Sequence, residues 1–135
     1  MVRLHESKML RVVIERQPDE VYEYAVNPER LPEWAASFAL AVRKEGDEWI
    51  VDTPEGPMKV EFAERNAYGI LDHYVTVAPG IRVLNPMRVI PNGMGSEVIF
   101  TFFKPDEMPM EQFELEAANV LQDLHSLKRV LEQQR

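Results

Sequence analysis

Residues Pro109–Gln133 read PMEQFELEAANVLQDLHSLKRVLEQ, and this stretch decides the fold. At 100° per residue, Met110, Phe113, Ala117, Val120, Leu121, Leu124, Leu127 and Leu131 fall on one stripe roughly 120° wide, the signature of a helix lying on a core. Glu111, Glu114, Gln122, Arg129, Glu132 and Gln133 fall on the other side. Pro109 suits the first helical position, where a missing N–H costs nothing. Glu111 and Glu114 near the start and Lys128 and Arg129 near the end agree with the helix dipole. At 1.5 Å per residue such a helix is roughly 37 Å long, the span of a small domain. One apolar face of that length needs a broad apolar surface beneath it.

The residues between Phe38 and Lys104 supply that surface as a sheet. Phe38, Leu40 and Val42 alternate, then Glu45-Gly46-Asp47 turns the chain into Trp49, Val51 and Thr53. Pro54-Glu55-Gly56-Pro57 turns again, and Met58, Val60 and Phe62 follow in phase. After Asn66-Ala67-Tyr68-Gly69, Leu71, His73, Val75 and Val77 share one face. Ala78-Pro79-Gly80 leads to Ile81, Val83, Asn85, Met87 and Val89, read as a single strand. Pro91-Asn92-Gly93-Met94-Gly95 is a hairpin signal before Val98, Phe100 and Phe102. Turns every 8–12 residues between alternating strands describe an antiparallel meander with one buried face.

Ahead of the meander, Met9–Arg16 is β-branched and reads as a first strand. Asp19 is positioned to cap a helix over Glu20–Val26, and Asn27-Pro28 ends it. Pro28 to Trp34 has room for one further helical turn. The expected fold is therefore α+β: an antiparallel sheet of six or seven strands curled around the C-terminal helix, with two short helices after the first strand. One domain, 1–135, accounts for the whole length.

The totals narrow the function classes. A net charge of −8 opposes nonspecific binding to nucleic acid and to anionic membranes. The two short helices carry no basic recognition face, so a helix–turn–helix contact with DNA is not expected. With 0 cysteines there is neither a disulfide framework nor thiolate chemistry. The first residues, Met1-Val-Arg-Leu-His-Glu6, form no apolar signal region, and no apolar run reaches the roughly 18 residues of a membrane span. A cytoplasmic protein is expected. His5, His73 and His125 lie far apart in no ligand spacing, so no metal is expected, and no nucleotide or other cofactor is implied. The serines lie in no Gly-x-Ser-x-Gly context.

The residues quoted carry a resemblance. A first strand running into Pro18-Asp-Glu-Val-Tyr22, the segment Asn27-Pro-Glu-Arg-Leu-Pro-Glu-Trp34, the strand ending Gly95-Ser-Glu-Val-Ile-Phe-Thr101 and the long amphipathic last helix together resemble the START-like (SRPBCC, polyketide cyclase/dehydrase-related) superfamily. The resemblance spans nearly the whole chain and implies the helix-grip fold. It also implies one of several activities: binding of lipids, sterols, hormones, polyketides or quinones, conversion of such ligands, or service as a chaperone co-factor. A shared fold does not choose among them.

The expected site is a pocket for a hydrophobic or aromatic small molecule. Its candidate lining is Trp34, Met58, Val60, Phe62, Leu71, His73, Val75, Val83, Asn85, Met87, Val98, Phe100 and Phe102, with Phe113, Ala117 and Leu121 from the helix. A filled core would use the same residues. Ala117 is small and mid-helix, which leaves room beneath it, and Met58 and Met87 give adaptable surface. His73 is the inward residue able to move a proton near neutral pH, with Asn85 in the same phase. Asp72 points to the opposite face and is poorly placed to orient that imidazole. Glu64 continues the inward phase of its strand at the rim. Arg82 and Arg88 belong to the outer face, within reach of Glu61 and Asp72. Access is expected near Trp34, Ala78-Pro79-Gly80 and Pro54–Pro57. The alternatives are a cyclase-like or aromatase-like enzyme using His73 as acid or base, and a protein-interaction module. Leu115 and Val130, off the helix stripe, would suit a homodimer contact.

Overall fold

The computed structural model of the protein describes residues 2–134; Met1 and Arg135, the ends of the domain expected at 1–135, lie outside them. The C-terminal helix, α3, is Met110–Gln133. Phe113, Ala117, Leu124, Leu127 and Leu131 are buried along it, as the stripe predicts. Val120 and Leu121 are half-buried, and Met110, at the first helical position, is exposed. Pro109 is the N-cap rather than the first helical residue, and its extended backbone delivers the chain into the helix. Leu115 is exposed, but Val130, expected off the buried face, packs against the core.

Strand β1 is Ser7–Ile14, ending two residues before the expected Arg16 because its ladder with the last strand closes at Ile14–Ser96. Helix α1 is Pro18–Ala25, starting two residues earlier than expected. Proline fits the first helical turn, and Gln17 is the cap without a side-chain hydrogen bond; the Asp19 carboxylate accepts only from the neighbouring Glu20 N–H. A 3-10 turn at Pro28–Arg30, capped by the Asn27 side chain, leads directly into α2, Leu31–Trp34.

The meander holds β2 Ala41–Glu45, β3 Glu48–Thr53, β4 Gly56–Phe62, β5 His73–Ala78, β6 Ile81–Asn85, β7 Met87–Asn92 and β8 Gly95–Phe103. Leu40 was expected to point inward but is exposed. The chain is still turning there: Phe38 and Ala39 both donate N–H to the Ala35 carbonyl, and Ala39 takes the buried place. Val77 and Ile81, expected to point inward, are exposed at the tip of the β5–β6 hairpin, where the register shifts between Thr76 and Ala78.

The described residues hold eight strands, where six or seven were expected, in a three-stranded array β1-β8-β7 and a five-stranded array β2-β3-β4-β5-β6, all antiparallel. The stretch expected as one strand from Ile81 to Val89 is broken at Pro86, which has no N–H for a ladder. Two interstrand bonds cross the join nevertheless. Leu71 N–H donates to Met87 O at 2.8 Å and Val89 N–H to Gly69 O at 2.9 Å. The chain thus bends at Pro86 as it passes from β6 in one array to β7 in the other.

The core lies among both arrays, α1, α2 and the second half of α3. Val12, Ile14, Val21, Val98, Leu124, Leu127 and Leu131 belong to it. Each fully buried aliphatic side chain contributes about 1.5–3 kcal/mol. That half of α3 is also fastened by polar bonds: Lys128 Nζ donates to Val13 O, Glu15 N–H to Glu132 Oε2 and Arg16 Nε to Leu131 O, each at 2.8 Å. The closest backbone approaches of α3 are to β1 and α2. Its first half is met by β8, where Phe102 stacks on Phe113, and by β1, where Lys8 pairs with Glu114.

Candidate functional site

Strand register sets a row of the predicted lining side chains next to one another. Phe62 of β4 pairs with His73 of β5, and His73 pairs with Asn85 of β6. Directly opposed residues project to the same face, so these three side chains stand side by side. The next row inward is Val60, Val75 and Val83. His73 stands 5.0 Å from the Phe62 ring and 6.0 Å from Phe100 on β8, centroid to centroid. Phe102 of β8 stacks on Phe113 of α3 at 5.1 Å and 16°. Phe113 and Ala117 are buried but lie outside the connected core cluster that holds Leu124, Leu127 and Leu131.

Burial divides the predicted lining into two groups. Leu71, Met87, Val98, Val60, Val75, Phe100 and Met58 are buried and join the core cluster. Phe62, His73, Val83, Asn85, Phe102 and Leu121 are only half-buried. Of the second group, Phe62 and Phe102 pack against the core cluster from its edge. Trp34 is buried in α2, and its indole Nε1 has no hydrogen-bond partner among the described residues.

His73 has a defined protonation pattern. Its Nδ1 lies 3.0 Å from the Leu71 carbonyl oxygen. A carbonyl only accepts, so Nδ1 carries the proton. Burial pushes the imidazole below its ordinary pKa, opposed by the Leu71 hydrogen bond and the nearby Asp72 charge. The ring is thus neutral at pH 7, and Nε2 presents a lone pair with no partner among the described residues. The Asn85 amide has none either.

Asp72 turns to the outer face, as its phase predicts. Arg88 holds it there at 3.0 Å. Arg82 lies over the Tyr74 ring at 3.9 Å and reaches Glu61 at 3.8 Å, so both outer arginines take the expected partners. Glu64 is exposed at the rim.

Two features were not read from the sequence. The first is Asp123, buried on α3 beside the apolar stripe, where α2 covers that flank. Its carboxylate accepts from Ser37 Oγ at 2.5 Å and Ser37 N–H at 3.3 Å, and burial, offset by these bonds, raises its pKa. The signal available was only its position on the flank of the stripe. The second is a cleft of about 410 Å³ between α1, the 3-10 turn and the ends of β3 and β4. Val26, Pro28, Trp49, Val60 and Phe62 line it, with Lys59, Arg65, Glu48 and Glu61 at its charged edge. This opening lies away from the expected Ala78–Gly80 and Pro54–Pro57 loops. Phe62 belongs both to the cleft and to the His73 row.

No protein-family model and no curated protein matches the sequence. Solved structures do match. An uncharacterised protein from Bacillus thuringiensis superposes with a TM-score of 0.74 at 15% identity, over 93% of this chain and 98% of its own. The Aha1 dimer from Colwellia psychrerythraea gives 0.72 at 14% identity, over 95% of this chain and 97% of its own. DynU16, a protein in the dynemicin biosynthetic locus, gives 0.73 at 18% identity; it matches 96% of this chain, which spans 48% of DynU16. The fold is the helix grip. At these identities the likeness establishes architecture alone. No helix of the described residues is long and apolar enough to cross a membrane.

Proposed function

We propose that this START-like helix-grip domain encloses a small hydrophobic or aromatic molecule between its five-stranded array and the first half of α3. The observation that carries this reading is the row Phe62–His73–Asn85, half-buried beside aromatic rings, in which His73 Nε2 and the Asn85 amide have no partner among the described residues. A filled core would seal those groups or pair them. Apolar burial, on the order of 25 cal/mol per Å², would supply affinity, and the two polar groups orientation. The likeness in fold to DynU16, a protein in the dynemicin biosynthetic locus, supports a small organic ligand.

Enzymatic use of His73 has less support, because Asp72 is engaged by Arg88 on the other face and is not available as its relay partner. The dimeric state of the similar Aha1 supports a homodimer, with exposed Leu115 on the outer side of α3 as one contact. Native mass spectrometry of the protein as purified tests the main reading. A co-purifying apolar molecule, released on denaturation and lost from Ala117→Phe, is expected. An apo mass that no hydrophobic compound shifts would overturn it.

A further inference from the structure

Resting on the pocket just proposed, its polar pair also defines what the ligand must carry. The chain fixes the tautomer of His73 from within. Leu71 lies two residues earlier on the same side of the strand, and its carbonyl holds the Nδ1 proton at 3.0 Å. Nε2 is left as an acceptor only. Across the ladder, Asn85 is the register partner of His73 and offers both an N–H donor and a carbonyl acceptor on the same face. One ligand atom lying between them satisfies both groups when it donates to Nε2 and accepts from the Asn85 amide. A hydroxyl does this; an ether or ketone oxygen has no proton for Nε2, and a carboxylate would set its charge against a lone pair. The rings of Phe62, at 5.0 Å, and Phe100, at 6.0 Å, flank the imidazole, so the group bearing the hydroxyl meets aromatic faces.

We infer that the site selects neutral hydroxylated aromatic molecules, phenols or enolised rings, and discriminates against carboxylates and against the same rings with the hydroxyl capped. The hydroxyl donates to His73 Nε2 and accepts from Asn85. No covalent step is involved.

Three probes of one ring system test this on the full-length protein: 2-naphthol, 2-methoxynaphthalene and 2-naphthoate, titrated by calorimetry or by their fluorescence. The naphthol is expected to bind at least tenfold tighter than its methyl ether, with the carboxylate weakest. That preference should collapse to less than about threefold in His73→Phe, which keeps an apolar ring in the row. If His73→Phe does not fold, Asn85→Leu serves instead and should weaken the naphthol selectively. Nitrogen-15 spectra of the histidines give a second readout: Nδ1 protonated and Nε2 bare in the free protein, with Nε2 shifted when the naphthol binds. Equal affinity for naphthol and methyl ether would overturn the hydroxyl assignment while leaving the pocket intact. A proton on Nε2 in the free protein would overturn it too. Binding of none of the three would overturn the assignment together with the pocket.

Discussion

Asp72 and Arg88 grip each other through two hydrogen bonds of 3.0 Å, Nε to Oδ1 and Nη2 to Oδ2, beside the strand break at Pro86. Asp72 Oδ1 also accepts the Met87 N–H at 2.9 Å. One carboxylate therefore bridges the end of the 69–72 segment to the start of β7. Removing it should cost more than removing Arg88, since Asp72→Ala also leaves the Met87 N–H without its acceptor. Denaturant titration should show a coupling of about 1 kcal/mol in the Asp72/Arg88 double-mutant cycle, kept small because the guanidinium is half exposed. The hydrogen bonds from Arg88 hold the Asp72 carboxyl below its ordinary pKa. A depressed native value means that the stabilisation is complete above the unfolded pKa of about 3.9 and fades as pH falls through the native value. Asp72→Asn should flatten that acid limb.

Asp123 should behave in the opposite sense. Burial raises its pKa, so the native state takes up a proton before the unfolded chain does. Between the unfolded value of about 3.9 and the raised native value, stability should rise as pH falls. Asp123→Asn removes this dependence while keeping an acceptor for Ser37 Oγ. Melting curves from pH 7 to 4 should show a wild-type component that the variant lacks; superimposable pH profiles would contradict the assignment.

Gly69 and Gly80 share a positive φ, 74° and 76°, but not their surroundings. A Cβ on Gly69 would lie 2.1 Å from the Val89 carbonyl oxygen, whereas one on Gly80 would meet nothing within 4 Å. Gly80→Ala should cost only the conformational penalty, about 1 kcal/mol. Gly69→Ala should cost at least about 3 kcal/mol, because the clash is with backbone that carries the crossing hydrogen bond. Comparable melting temperatures for the two variants would refute this account of the sheet join.

Phe62 stands between the outer cleft and His73. If the cleft is the access route, Phe62→Ala should speed both binding and release of an enclosed probe such as 2-naphthol, on the order of tenfold in each rate, with a smaller change in Kd. Stopped-flow fluorescence reads both rates. Unchanged rates would place the route elsewhere on the surface.

Periodicity showed which face turns inward along most of each element, though not at Leu40 or Val130. The 3.6-residue stripe on α3 and the two-residue alternation through Met58–Phe62, Leu71–Val75 and Val98–Phe102 are local properties, written in consecutive residues, and they gave an antiparallel sheet with a long helix laid on it and the common phase of His73 and Asn85. Tertiary structure decided what lies opposite those faces and how far the cover extends. Val77 and Ile81 continue the alternation yet lie exposed at a hairpin tip where the register shifts. Asp123 lies on the flank of the stripe yet is buried, because α2 happens to cover it. The sequence showed Pro86 without showing that the chain bends there from one array into the other, since the bonds that carry the bend, Leu71 to Met87 and Val89 to Gly69, join residues 16 and 20 apart. The polarity of His73 follows the same division. Its phase and the Leu71 carbonyl that fixes its tautomer are local, but the cross-strand Asn85 and the Phe62 and Phe100 rings beside it are brought together only by the folded sheet.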